Sequence, residues 1–339
     1  MMFMKLLRFG LLILIPILLD SCEEKMEIAK SGVLVPQTVD EDANLPSFRS
    51  NGVLLHAESF GPKTGPMLVM IHGGPGGDYR YLLNAKDLVS NGYQVVFFDQ
   101  RGSGLSQRID KKDYPKEKGA IINLLYDDLK KVIEQYRRDP QQEIILFGHS
   151  WGAMLASGFA GRFPSLIKGM VLCEPGGLKW ADVETYVKNS RSLNVWSETL
   201  NNATYLDQFI TGAENDHAIL DYKMSMFSSS NPITGEGDFD KSSSWRDGAI
   251  ISTVMFEEAD RDQLDFSAGI ENFNKPILFF YSSKNKAYPD QWADKITSVF
   301  KTVKKVKIQD VGHDGIITNA DAWSQQTKPN VLSFLNNLK

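Results

Sequence analysis

Residues 144–157 read IILFGHSWGAMLAS, and the fold turns on how this stretch is interpreted. An apolar run breaks at Gly148-His149-Ser150-Trp151-Gly152 and then resumes with helical spacing, the pattern of a buried strand, a sharp turn and a helix. Ser150 is expected at the strained apex of that turn with its hydroxyl exposed, and the flanking glycines let strand and helix approach closely. Its amide and that of Trp151 would lie at the positive end of the helix, where negative charge is stabilised. A lone G-x-S-x-G arises by chance in glycine-rich turns, so the neighbouring segments carry the decision.

Upstream, residues 66–71 are a continuous apolar run without alternation, as in a strand covered on both faces, and they end on HGGPGG at 72–77. Residues 79–90 predict a helix, 93–98 a second buried strand closing on DQRGSG at 99–104, and 121–137 a further helix. Before them, 48–51 and 53–60 predict a hairpin around Asn51-Gly52. Downstream, 168–173 predict another buried strand, ending at Glu174-Pro175-Gly176-Gly177. Such alternation of strand and helix predicts an α/β fold with a mostly parallel, doubly wound sheet. The rhythm stops over 178–270, where aromatic residues, methionines and polar runs predict a mostly helical cap. It resumes with a strand at 276–282, a helix at 289–300, a strand at 304–309 and a final helix to 339. The expected organisation is a core in two parts, 46–177 and 271–339, with the cap inserted between them.

Composition narrows the function classes. The chain has 339 residues, 42% of them hydrophobic, enough to fill one large α/β core. A net charge of -5 without any long basic block argues against nucleic acid as a partner. The densest basic cluster, Lys304, Lys305 and Lys307, reads as a lysine-blunted sheet edge. The two cysteines, Cys22 and Cys173, stand in different settings and support neither a disulfide framework nor a cysteine metal site. Cys173 is expected to pack as a small hydrophobe. At the N-terminus, Lys5 and Arg8 precede the apolar run 10–19 and then Leu19-Asp20-Ser21-Cys22. This is the layout of a signal peptide over 1–21, with Cys22 as the lipidated first residue of a bacterial lipoprotein, although Asp20 is unusual there. Residues 22–45 then read as a flexible tether, and the expected location is the cell envelope, outside the cytoplasm and anchored to the membrane by lipid.

A serine hydroxyl is a weak nucleophile unless a histidine takes its proton and an acid holds that histidine in the right tautomer. His313 is the candidate base, because Val311-Gly312-His313-Asp314-Gly315 forms a loop after the last strand, late in the chain. His56, His217, His149 and His72 are weaker candidates; His149 flanks Ser150, and His72 is expected to shape the glycine loop. An attacked carbonyl becomes an oxyanion and needs two amide donors, for which Trp151 and either Gly73 or Gly74 are placed. No metal-ligand cluster, phosphate-cradling loop or dinucleotide fingerprint occurs, so neither cofactor nor metal is expected.

HGGPG at 72–76, DQRGSGLS at 99–106, GHSWG at 148–152 and VGH at 311–313 together resemble the α/β-hydrolase fold and, within it, the proline iminopeptidase-like serine hydrolases. The resemblance spans 47–177 and 274–339. It implies that Asp99 and Arg101 brace loops rather than react. It also implies an aspartate after the strand that follows the cap, where this chain has Asn285. Glu174 is the proposed replacement, since some haloalkane dehalogenases of the same fold carry their catalytic glutamate at the end of that earlier strand; Asp290 and Asp314 are the alternatives. Those relatives use an aspartate nucleophile, so Ser150 argues against dehalogenase and epoxide-hydrolase chemistry. Proline iminopeptidases bind the substrate amine through cap glutamates. Glu198, Glu214, Glu257 and Glu258 are available here, but their spacing singles out none of them, and Glu257-Glu258 reads as a solvated helix face. Trp245, Met255 and Phe256 serve equally as a pocket lining or as core. Three readings follow: an aminopeptidase releasing an N-terminal proline or other small residue, a carboxylic-ester hydrolase, and a lipid-anchored binding protein on a degenerate hydrolase scaffold.

Overall fold

The computed structural model describes residues 35–192, 216–228, 235–238 and 242–338. Eight strands form one sheet: β1 (Ser47–Ser50), β2 (Val53–Phe60), β3 (Met67–Ile71), β4 (Gln94–Phe98), β5 (Ile144–His149), β6 (Gly169–Cys173), β7 (Ile277–Ser282) and β8 (Val303–Ile308). Their spatial order is β1-β2-β4-β3-β5-β6-β7-β8. The hairpin β1–β2 and the β2–β4 pair are antiparallel, and every later pairing is parallel.

Strands β3 to β6 are buried along their whole length because helices cover both faces. Side chains alternate between the faces: Met67, Val69 and Ile71 join one apolar cluster, and Leu68 and Met70 join the other. The first cluster takes α1 (Ala120–Tyr136), α2 (Trp151–Arg162) and α6 (Asp290–Thr297). The second takes the helical segment Arg80–Asn91 and the C-terminal helices. Segment Arg80–Asn91 is a 3₁₀ helix, and its buried residues Leu82, Ala85 and Leu88 fall at steps of three, the period of that helix.

Between β6 and β7 lie α3 (Trp180–Ser192), α4 (His217–Ser228) and α5 (Ala249–Asp262). Helix α5 corrects one expectation. Glu257 is exposed and pairs with Lys111, but Glu258 is buried and accepts the amides of Ile121 and Ile122 at 2.8 Å each. The residue before helix α1, Gly119, has no side chain to cap it, so the orphan amides of Ile121 and Ile122 are satisfied from the insertion.

Two further expectations change. The single C-terminal helix is broken into α7 (Gly315–Thr318), α8 (Ala320–Ala322), a π turn over Trp323–Thr327 and α9 (Lys328–Asn336). Asn319 caps α8 by accepting the amide of Ala322, and Pro329, which has no N–H to give the preceding turn, follows the wide π turn. The expected tether is packed where it is described: Val35, Thr38 and Val39 are buried, the Val39 amide donates to Leu105, and Arg246 donates to the Pro36 carbonyl. Residues 1–34, with the expected signal peptide and Cys22, lie outside the described residues. Lys305 and Lys307 on the outermost strand pair with Asp294 and Asp290 of α6.

Candidate active site

The parallel register sets the site. Gly148 on β5, Leu172 on β6 and Phe279 on β7 stand abreast, so the residues just past the three strands emerge at one carboxyl edge of the sheet. That edge is where ligands of open α/β sheets bind. The Ser150 amide donates to Cys173 at 2.8 Å, and the Glu174 amide donates to Phe280 at 3.1 Å.

Ser150 caps helix α2 with φ 55° and ψ −123°. A non-glycine residue held there costs about 1–3 kcal/mol, and the neighbouring contacts show what enforces it. A Cβ on Gly148 would meet the Gly152 carbonyl oxygen at 2.4 Å, and one on Gly152 would meet the Ile71 carbonyl oxygen at 2.0 Å. The two glycines therefore let β5, α2 and the end of β3 close on one another around the serine. Trp151 is fixed beside it: its indole donates to Gln100 at 3.0 Å and its ring meets Phe266 edge-on at 5.4 Å. As the first residue of α2, Trp151 has no intrahelical acceptor for its amide.

The glycine loop after β3 passes next to Ser150, since a Cβ on Gly73 would lie 3.1 Å from the Ser150 Cβ. The Gly73 amide is already committed, donating to the Tyr81 hydroxyl at 2.7 Å. Of the two expected glycine donors, Gly74, at φ 134°, is therefore the candidate that remains. His72 shapes this loop: Nδ1–H donates to the Gly73 carbonyl at 2.8 Å and Nε2 accepts the Gln100 amide at 2.9 Å. Burial pushes the His72 pKa down, with Asp99 and the Gly73 carbonyl opposing. The DQRG segment acts as a brace. Asp99 accepts the amides of Tyr79 and Leu105 and pairs with His56, and Arg101 forms a bidentate pair with buried Asp128 at 2.8 Å.

Glu174 is fully buried and holds φ 40°. One carboxylate oxygen accepts the amide and the hydroxyl of Ser282, each at 2.6 Å; the other accepts Asn285 Nδ2 at 2.9 Å and His313 Nδ1 at 2.6 Å. The carboxylate thus has four donors and points its second oxygen at the histidine. Asn285, at the position where the resemblance implies an acid, instead supports the acid next to it. Its Nδ2 also reaches the Tyr186 hydroxyl at 3.0 Å. Asp290 lies apart on the surface, paired with Lys307; Asp314 accepts from Ser242 at 2.5 Å.

His313 is buried in the loop after β8, its ring centroid 4.5 Å from that of His149. Burial lowers its pKa, but the charges of Glu236, Glu174 and Asp314 outweigh burial and hold it above the ordinary value. His149 is the opposite case, lowered to about 4 by burial and then by the neighbouring His313 charge. It is therefore neutral, with Nε2–H donating to the His313 carbonyl at 3.0 Å and Nδ1 accepting from the Tyr81 hydroxyl at 2.9 Å. Tyr81 and His149 thus form a hydrogen-bonded bridge from the glycine loop to the histidine loop. Among the described residues, His149, His313 and Asp314 place three possible metal-ligand atoms within 4.8 Å of one another.

The sequence points to Ser150, Trp151, Gly73, Gly74, Glu174 and His313. Tyr81, Tyr186, Glu236 and Asp238 emerge only from the structure. Glu236 and Asp238 alternate with Gly235 and Gly237 in an otherwise aromatic- and methionine-bearing insertion, and that alternation is the signal that could have drawn attention to them. Glu198 and Glu214 lie outside the described residues.

A family profile described as alpha/beta hydrolase fold matches residues 66–320. The chain is 34% identical over 106 residues to a proline iminopeptidase of Saccharolobus solfataricus, covering 31% of this chain and 32% of that one. It is 34% identical over 130 residues to epoxide hydrolase 3 of Mus musculus, covering 38% of this chain and 33% of that one. The matched region thus spans about a third of the length of these curated relatives. The crystal structure of a proline iminopeptidase from Mycobacterium smegmatis superposes with TM-score 0.58 at 14% identity, covering 87% of this chain and 98% of that one, a likeness of fold. With a profile match over most of its length and a sheet of the same architecture, the chain belongs to the alpha/beta hydrolase fold family.

Proposed function

We propose that this chain is a serine hydrolase that cleaves an acyl bond through an acyl-enzyme, with Ser150 as nucleophile, His313 as general base and Glu174 as the acid that orients His313. The observation that carries the reading is the 2.6 Å contact of His313 Nδ1 with the buried Glu174 carboxylate, next to a strained serine turn. With Nδ1–H held by Glu174, Nε2 of His313 takes the Ser150 proton as Oγ attacks the substrate carbonyl. The amides of Trp151 and Gly74 receive the developing oxyanion. His313 then returns the proton to the leaving amine or alcohol, and water repeats the sequence on the acyl-enzyme. Serine at this position also favours acyl transfer over epoxide opening, because its attack on an epoxide would leave an ether with no carbonyl for water to attack.

Within this class the favoured reading is an aminopeptidase acting on a free N-terminal residue, in keeping with the similarity to proline iminopeptidases. Glu236 of the insertion supports it: its charge acts on His313, so a cationic amine entering the site meets a negative field. A carboxylic-ester hydrolase is the second reading, favoured by the Tyr186 hydroxyl, which already donates to Glu236 at 2.7 Å. The degenerate-scaffold reading loses its motive, since Asn285 stands beside an acid rather than in place of one. The expected result is that the full chain hydrolyses a free-amine prolyl anilide at least about tenfold faster than its N-blocked form, equivalent to about 1.4 kcal/mol. Turnover of acyl esters alone would overturn the aminopeptidase reading, and inertness on every substrate would overturn both.

The membrane anchor remains part of this proposal, resting on Lys5, Arg8, the apolar run and Cys22. Labelled fatty acid is expected to be incorporated by the wild-type chain and not by Cys22→Ser. Equal labelling of the two, or none in the wild type, would remove the anchor.

A further inference from the structure

Two glycines flank the candidate base in Gly312-His313-Asp314-Gly315, and both are pressed by the same piece of the insertion. A Cβ on Gly312 would meet the Glu236 carbonyl oxygen and the Gly237 carbonyl carbon at 2.4 Å, and one on Gly315 would meet Asp238 Oδ1 at 2.6 Å. The close approach allows a ladder of hydrogen bonds. The His313 amide donates to the Glu236 carbonyl at 3.0 Å. The Asp238 carboxylate accepts the amides of Gly312 at 2.8 Å, Asp314 at 2.7 Å and Gly315 at 3.2 Å. Four consecutive backbone N–H groups, 312 to 315, therefore end on two residues of the insertion, Glu236 and Asp238. A carboxylate is suited to this place because one group accepts several amides, two of them at the start of helix α7, where negative charge is favoured.

We propose that Asp238 is a positioning residue for the reaction, through which the insertion sets the register of the histidine loop and with it the aim of His313 at Ser150. Other supports of His313 are its bond to Glu174 and the bond its carbonyl accepts from His149. Those fix the ring edge and the carbonyl; Asp238 and the Glu236 carbonyl fix the backbone from the facing segment of the insertion. The clamp is anchored in turn. Gly237, at φ 92°, lies against the Lys284 backbone, where a Cβ would meet the carbonyl oxygen at 2.4 Å, and Tyr186 donates to Glu236. The insertion would then complete the catalytic group as well as cover it, and a shift of segment 235–238 would move the base.

The inference rests on His313 being the base, so the experiment separates the two. Wild type, Asp238→Ala, Asp238→Asn and His313→Ala are compared as full chains on the best substrate of the panel. Three readouts are taken: kcat and KM, the melting temperature, and the downfield proton resonance of a hydrogen-bonded His313 Nδ1–H. Positioning through backbone amides is expected to cost kcat about 10²-fold in Asp238→Ala, the scale of a misplacement of about 1 Å, with KM within about twofold. The downfield resonance should shift or broaden with it. Asp238→Asn keeps the shape and one acceptor, so it should lie between the two and decides the matter if Asp238→Ala does not fold. Wild-type kcat and an unmoved resonance in Asp238→Asn and Asp238→Ala, or a raised KM at constant kcat, would overturn the proposal. Full activity in His313→Ala would overturn the base assignment beneath it.

Discussion

Glu174→Gln is expected to lower kcat by about 10⁴, about 5.4 kcal/mol of transition-state stabilisation. The carboxylate is fully buried and accepts from four donors, His313 Nδ1 among them. An amide in its place keeps one acceptor and adds a donor, so it must either turn an N–H toward His313 Nδ1 or abandon Ser282. In both cases the imidazolium formed during attack loses its counter-charge. The pH dependence gives a second readout with a defined sign. Burial alone would lower the His313 pKa; Glu236, Glu174 and Asp314 hold it up. The active neutral base therefore appears as pH rises through a raised value, and wild-type kcat/KM should climb on a limb above the ordinary histidine range. In Glu174→Gln that limb should move to lower pH even as its plateau falls. Asn285→Ala removes one of four donors and should cost only about tenfold, near 1.4 kcal/mol. Near-wild-type turnover in Glu174→Gln, with a large loss in Asp290→Asn or Asp314→Asn, would transfer the role of acid.

Ser150→Gly should abolish turnover, by about 10⁶-fold on the scale of removing a serine nucleophile, while making the folded chain more stable. Strain at φ 55° costs about 1–3 kcal/mol, and glycine adopts that conformation freely. The greater entropy of glycine in the unfolded chain takes back about 0.4–1 kcal/mol, leaving a net gain of about 1 kcal/mol. Denaturant midpoints at unchanged slope measure it. A less stable Ser150→Gly would mean that the serine side chain supports the fold and that its backbone is not stored strain. Ser150→Ala, which keeps the strain, should be as inactive and no more stable.

Most of the core was legible because its signals are local. The continuous apolar run at 66–71 and the mostly apolar stretches at 93–98 and 168–173 mark strands that water does not reach on either side, and β3, β4 and β6 lie there. The Asn51-Gly52 turn is set by residues that tolerate positive φ, and the elbow at Ser150 by flanking glycines that admit close approach. Glu174 was reachable only through resemblance, because the implied aspartate position holds Asn285 and some haloalkane dehalogenases carry their glutamate at the end of the preceding strand; Asp290 and Asp314 stay open until the structure sets Glu174 against His313. Glu258 was misread because Glu257-Glu258 looks the same whether a helix faces water or another helix's amides. The break-up of the last helix likewise reflects the Asn319 cap and Pro329 after the π turn, which periodicity alone does not register.

The sequence by itself determined the strand and helix order, the strained serine turn and the chemistry its neighbours could supply, because these depend on side chains within a few residues of one another. Only the tertiary structure decided which acid meets His313, that the Gly73 amide is taken by Tyr81, that residues 35–42 pack on the core and insertion, and that segment 236–238 holds the histidine loop. Each of these is a contact between residues 8 to 210 positions apart. Chain closure of that kind is fixed by the summed packing of the whole sheet, and no window of sequence contains it.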